Sequence, residues 1–279
     1  MKRMRLKAII TLSLMAVCSI YAQQQLSLVV GTYTDGDSKG IYSYRFNQDT
    51  GEAEPLDSLA MQNPSYLTVS NDKRYIYAVS ETEASQASLN IISLNRQGSM
   101  RLLETVLTEG ADPCYVAQNG HTALTANYTG GSMSVFNLNG THAKLDTRFL
   151  GATGGPDLSR QDRAHVHCAC FTPDGRYVLA TDFSADRILS YRIQGQKVVA
   201  NSVAADVSAD SGPRHLTFSR DGRFAYLMSE LSGMVTVFSY KRGRLEKLQE
   251  IVSDSVGARG GADIHLSPDA ASSFIPATA

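Results

Sequence analysis

Arg214-His215-Leu216-Thr217-Phe218-Ser219-Arg220-Asp221-Gly222 has three counterparts in the chain: Pro64-Ser65-Tyr66-Leu67-Thr68-Val69-Ser70-Asn71-Asp72, His167-Cys168-Ala169-Cys170-Phe171-Thr172-Pro173-Asp174-Gly175, and Ala262-Asp263-Ile264-His265-Leu266-Ser267-Pro268-Asp269. Phe171, Phe218 and Leu266 are spaced by 47 and 48 residues, and Pro64, Pro113 and Pro213 by 49 and 100. Self-similarity at a period of about 48 residues marks a repeat architecture, in which each unit buries its apolar faces against its neighbours. Each unit reads as a short alternating strand, an Asp-Gly or Asn-Asp turn, a second strand such as Arg223 to Met228, and a third such as Met234 to Tyr240. Asp-Gly between alternating apolar runs is a strong hairpin signal, with both turn residues expected at positive φ. A fourth, more polar strand, Lys247 to Ser253 in this unit, fits the outer edge of a sheet. Four strands in a unit of this length describe a propeller blade. No helical period of 3.6 is sustained, which excludes helix-pair repeats of similar length. The expected fold is therefore all-β, a β-propeller of four-stranded blades.

Outside the repeat, Lys2, Arg3, Arg5 and Lys7 precede an apolar run from Ala8 to Ile20, and Ala22 places a small residue before Gln23. This is the pattern of a secretory signal peptide over residues 1–22, with an apolar part too short to span a bilayer as a mature helix. Export, to a periplasm, is the expectation. A lipoprotein signal ending at Cys18 is the weaker alternative, because Val17 is bulkier than that cleavage accepts. Residues 23–279 then form one propeller domain with no membrane span. At about 48 residues per unit, those 257 residues supply five to six blades. With 43% apolar residues the chain can bury a large core, and 26 basic against 27 acidic side chains exclude the basic excess that a nucleic-acid partner requires. Beyond the signal, Cys114, Cys168 and Cys170 lack the CxxC spacing of a zinc or redox site and are expected to be buried free thiols.

In a blade the first strand lines the central channel, so the start of that strand and the end of the second meet at one mouth. A two-residue turn at Asp221-Gly222 sets Arg214 opposite Ser229, with Glu230 next along. The same turn at Asp174-Gly175 sets His167 opposite Asp182. Arg214, Glu230, His167 and Asp182 are thus expected at one rim. An arginine fork can hold a phosphate or carboxylate, and a carboxylate or imidazole beside it can take a proton from water attacking a carbonyl carbon. Other roles are open to the same residues: Arg214 and Glu230 as an ion pair tying a blade together, Asp182 as an acceptor of backbone hydrogen bonds, and His165 as a residue that supports or flanks the site. His165, His167 and His215 come without an acidic loop of cation-binding spacing, so metal-independent chemistry with no cofactor is expected. Gly151-Ala152-Thr153-Gly154-Gly155 lacks the ending of a phosphate loop and reads as part of a long inter-blade loop, Gly151 to Arg163, leading to His165 and covering the channel mouth.

His165 to Arg176, Gly212-Pro213-Arg214-His215, Ser229-Glu230-Leu231 and Ala262 to Asp269 resemble the motifs of the lactonase family of seven-bladed β-propellers, and Gly31-Thr32-Tyr33-Thr34 and Gly40-Ile41-Tyr42 fit it as well. That family includes 6-phosphogluconolactonases and fungal carboxymuconate cycloisomerases. The resemblance implies a hydrolase that opens a sugar lactone, a small-molecule substrate. Its proposed site of a histidine, two arginines and a glutamate carries over to His167 (less directly His165), Arg214 and Glu230 as catalytic residues. His165, Asp182, His215 and Asp263 are candidates for binding substrate. The family's second arginine, in a Ser-Asn-Arg motif after Ser-Pro-Asp-Gly, has no counterpart. From Ala270 to Ala279 the strand pattern is lost, and a single-base frameshift within the last blades is the expectation. Short of that arginine, a non-catalytic propeller that binds a glycan or protein, or an inactive fragment, is the alternative.

Overall fold

A computed structural model describes residues 25–254, 256–267 and 273–274. The expected signal segment and most of the tail after Leu266 lie outside the described residues. The described chain forms five antiparallel sheets and a short sixth. These are β1 (Gln25–Gly31), β2 (Gly40–Asn47) and β3 (Ala53–Ala60); β4 (Leu67–Val69), β5 (Tyr75–Ser80), β6 (Ser88–Leu94) and β7 (Met100–Leu107); and β8 (Pro113–Asn119), β9 (Thr122–Asn127), β10 (Ser132–Asn139) and β11 (His142–Leu150). Two further four-stranded sheets follow: β12 (Val166–Phe171), β13 (Tyr177–Asp182), β14 (Arg187–Gln194) and β15 (Lys197–Asp206), then β16 (Pro213–Phe218), β17 (Phe224–Ser229), β18 (Met234–Lys241) and β19 (Arg244–Val252). β20 (His265–Leu266) pairs with β21 (Ser273–Phe274), so the tail that the sequence leaves without a strand contributes a short one. Apart from this last pair, every sheet follows chain order, and the four four-stranded sheets run from the inner strand outward, as blades do; β1, β2 and β3 match the second, third and fourth strands of such a blade.

The period of two explains why the blades stack. On β9, Ala123 packs toward the preceding blade with Phe136, Val79 and Ile91, while Leu124 and Ala126 face the next with Val178 and Ala180. On β13, Leu179 faces the following blade, where Leu227 and Phe238 complete the cluster. Central strands are therefore apolar on both faces, and each apolar cluster lies between two sheets rather than within one. The outer strands β7 and β11 mix exposed and half-covered residues and β19 is exposed over most of its length, as edges are. Cys168 and Cys170 are free and buried on one face between blades, whereas Cys114, expected to be buried, is only half-buried.

The inner hairpins depart from the expected turn. Asp174 and Asp221 are not at positive φ; only Gly175 (66°) and Gly222 (68°) are. Thr172 to Arg176 form a loop in which the Gly175 amide bonds the Thr172 carbonyl at 2.9 Å, and Asp174 Oδ1 accepts the Arg176 amide at 3.0 Å. The register near each turn matches the expected one: His215 opposes Met228, and Cys168 opposes Thr181. It then slips by one. Val166, not His167, opposes Asp182, and Pro213, not Arg214, opposes Ser229, because a bulge leaves His167 and Arg214 as the extra residue of each inner strand. The same bulge occurs at Cys114 on β8. One unpaired residue per inner strand is re-aimed by the bulge, and in successive blades these are Cys114, His167 and Arg214.

Candidate active site

The inner strands β4, β8, β12 and β16 lie against one another in that order along the channel wall. The residue following each second strand, Glu81, Tyr128, Phe183 or Glu230, holds the same place in four blades; its amide bonds the carbonyl of Asn63, Asp112, His165 or Gly212, respectively. Next along the inner strands are the bulge residues. One residue further come Tyr66, Tyr115, Cys168 and His215. Tyr66 stacks on Tyr115 with ring centroids 4.4 Å apart, and His215 meets Tyr115 at 5.3 Å and His167 at 5.1 Å. Rings from the second, third, fourth and fifth blades thus converge at the centre.

Glu230 organises the mouth. Arg160 Nη2 donates to its Oε1 at 2.6 Å, and Arg214 Nε donates to its Oε2 at 3.0 Å. Arg214 Nη1 also donates to the Ala262 carbonyl at 2.6 Å, and Arg160 Nη2 to the Tyr128 hydroxyl at 3.1 Å. Glu230 and Arg214 are largely sheltered, whereas the Arg160 side chain is 40% exposed, so water screens the Arg214 pair less than the Arg160 pair. His167 Nδ1 lies 3.7 Å from Cys114 Sγ, and the ring stands edge-on to Tyr128. Burial, reinforced by the charge of Arg214, holds His167 well below the usual histidine range, so its imidazole is neutral near neutral pH.

His167, Arg214, Glu230 and His215 therefore come together. Asp263 joins them through a 2.6 Å contact with His215 Nδ1, and its other oxygen meets His265 Nε2 at 2.7 Å. Burial pushes the Asp263 carboxyl up, but the hydrogen bond and charge of His215 outweigh it and hold it far below the usual range. His165 lies beside this group, its Nδ1 2.8 Å from Ser184 Oγ and its ring stacked on Tyr128 at 4.3 Å. Asp182 does not join it. Set opposite Val166 by the bulge, its carboxylate accepts the Ala152 amide at 3.1 Å and Arg187 Nε at 3.0 Å, with no exposed surface. The expected His167–Asp182 pair is not formed.

The long loop does more than cover the mouth. Gly151 passes so close to Asp182 that a Cβ there would lie 2.8 Å from Oδ1, and a Cβ on Gly155 would overlap the buried Gln161 side chain. The glycine-rich run is thus a packing device that lets the loop fold onto itself. Gln161 anchors it by donating to the Phe183 carbonyl at 3.1 Å. Arg259, on the loop after β19, bonds Asp157 at 2.9 Å and Asp210 at 2.8 Å and ties the loop down from outside. The result is a fixed Arg160, a second arginine on Glu230.

The family model described as "Lactonase, 7-bladed beta-propeller" matches residues 27–275. This chain belongs to the lactonase family of seven-bladed β-propellers. A 6-phosphogluconolactonase of Bacillus subtilis (strain 168) is 30% identical over 251 residues, 86% of this chain and 71% of that protein. Among solved structures, a proposed 6-phosphogluconolactonase from Bacteroides uniformis is 53% identical, with a TM-score of 0.88, over 91% of this chain and 76% of that one. A periplasmic gluconolactonase of Pseudomonas aeruginosa is 32% identical, with a TM-score of 0.81, over 88% and 73%.

In this lactonase-family site the residues that sequence reasoning missed are Arg160, Tyr128, Cys114 and Glu81. Cys114 and Glu81 carry a usable signal: Pro113-Cys114 repeats Pro213-Arg214 two blades apart, and Ser80-Glu81 repeats Ser229-Glu230 three blades apart. Arg160 carries none, because no ladder fixes the register of a loop residue.

Proposed function

We propose that this lactonase-family propeller hydrolyses a sugar lactone, in the manner of a 6-phosphogluconolactonase, and that it does so after export behind the signal segment of residues 1–22. The observation that carries the reading is the Arg160–Glu230–Arg214 group beside a neutral His167. Each guanidinium has five N–H donors and makes two hydrogen bonds here, which leaves donors for a carbonyl oxygen or an anionic substituent. Both oxygens of Glu230 already accept arginine hydrogen bonds. Its role in this reading is to hold the two arginines, and His167 takes the proton of the attacking water. The relatives named for 6-phosphogluconolactone and gluconolactone hydrolysis support the reaction class. Export favours an unphosphorylated or uronic lactone over the phosphorylated one.

The test is initial-rate opening of glucono-1,5-lactone, with and without a 6-phosphate, corrected for spontaneous hydrolysis. Wild-type protein is expected to open the unphosphorylated lactone, and Arg214→Ala to lose about 100-fold or more in kcat/KM. Equal rates for the two proteins would remove Arg214 from the mechanism.

A further inference from the structure

The channel mouth carries a second carboxylate. Glu81 follows β5 as Glu230 follows β17, and its amide bonds the Asn63 carbonyl at 3.0 Å as that of Glu230 bonds Gly212 at 2.8 Å. Both side chains start at the same height on the wall, from the second and fifth blades. Their surroundings differ. Glu230 is clamped by two arginines, whereas Glu81 makes no ion pair among the described residues. Tyr33 Oη donates to Glu81 Oε2 at 3.0 Å, and Ser65 Oγ donates to the same oxygen. Oε1 has no hydrogen-bond partner among the described residues. Two donors on one oxygen fix the carboxyl while leaving the other oxygen to act.

The groups facing Glu81 are Tyr33 from the loop after β1, Ser65 before β4, Asp112 and Cys114 from the third blade, and Arg214 across the channel. Cys114 in turn touches His167. Cys114 thus links the neighbourhoods of Glu81 and His167, and the charge of Arg214 acts on all three. Burial raises the Glu81 carboxyl above the usual range and Asp112 adds to this, against the hydrogen bonds from Ser65 and Tyr33 and the charge of Arg214. A carboxyl pushed toward its acid form, beside a wall that carries two arginines, is suited to donate a proton.

We propose that Glu81 is the proton donor to the ring oxygen that departs when the lactone opens. The inference rests on the lactone-hydrolase reading. Water oxygen bonds to the carbonyl carbon and its proton goes to His167. The bond from that carbon to the ring oxygen then breaks, its electron pair stays on oxygen, and oxygen takes the Glu81 proton. A hydroxy acid results, and His167 and Glu81 return to their starting states by proton exchange with solvent. An alkoxide is a poor leaving group and needs that proton, whereas a phenoxide leaves without it.

The leaving group supplies the test. On glucono-1,5-lactone, whose leaving group is an alkoxide, Glu81→Gln is expected to lower kcat about 100-fold with KM little changed. On dihydrocoumarin, which releases a phenoxide, the same variant is expected to stay within about 3-fold of wild type. Wild-type kcat on the sugar lactone is expected to fall as pH rises through the Glu81 pKa, with no such limb for dihydrocoumarin, and this comparison needs no variant. Equal losses on both substrates, no loss on either, or the same limb on both would overturn the assignment. Wild-type protein that opens dihydrocoumarin but no sugar lactone would instead overturn the sugar-lactone reading on which it rests.

Discussion

Glu230→Ala is expected to lower kcat/KM for a sugar lactone by about 100-fold or more, as much as the loss of both arginines together. The carboxylate is the one acceptor shared by Arg160 and Arg214. Without it two guanidinium groups face each other uncompensated, and their repulsion drives both away from the channel axis. Arg160 keeps its Tyr128 bond, but that hydroxyl does not also hold Arg214. Glu230→Gln keeps the shape and loses the charge, so it is expected to fall between wild type and alanine. Steady-state kinetics on the three proteins check the order; a Gln variant as active as wild type would show that the charge of Glu230 is not what places the arginines.

A large effect of another kind is expected at Asp182. Its carboxylate is fully enclosed, accepts the Ala152 amide and pairs with Arg187, so Asp182→Ala leaves a guanidinium and a backbone N–H without their partner. Removing one member of such a buried pair costs about 3 kcal/mol, a fall of roughly 6–12 °C in Tm for a chain of this size. Because Asp182 is turned away from the channel, KM for the lactone is expected to stay within about 2-fold of wild type at temperatures where the variant is folded. Thermal unfolding followed by circular dichroism, alongside KM, separates the two roles that the sequence left open for this residue. A variant with unchanged Tm and a raised KM would place Asp182 in substrate binding.

The fold was legible because propeller blades are written in local signals: a two-residue alternation, a turn with its glycine, and a period that repeats them. Register was legible near each turn, where His215 and Cys168 find the partners that turn counting assigns. It failed one residue further on, at Arg214 and His167, because a bulge in an inner strand has no compositional mark here; Cys, His and Arg all occupy it. That single slip separates a correct placement of Arg214 near Glu230 from an incorrect pairing of His167 with Asp182. Arg160 was illegible for a different reason. Its position depends on Gln161, Asp157 and Arg259 fixing a long loop, contacts made between segments as much as 102 residues apart.

The measurement that bears most directly on the account is a double-mutant cycle on lactone turnover with wild type, Arg160→Ala, Arg214→Ala and the double variant, each corrected for spontaneous hydrolysis. If the two arginines act as one unit on Glu230, the double variant will lose little more than the worse single variant, a coupling of 1 kcal/mol or more on the order of that seen for residues sharing a network. Additive losses, or wild-type turnover no faster than buffer, would contradict it.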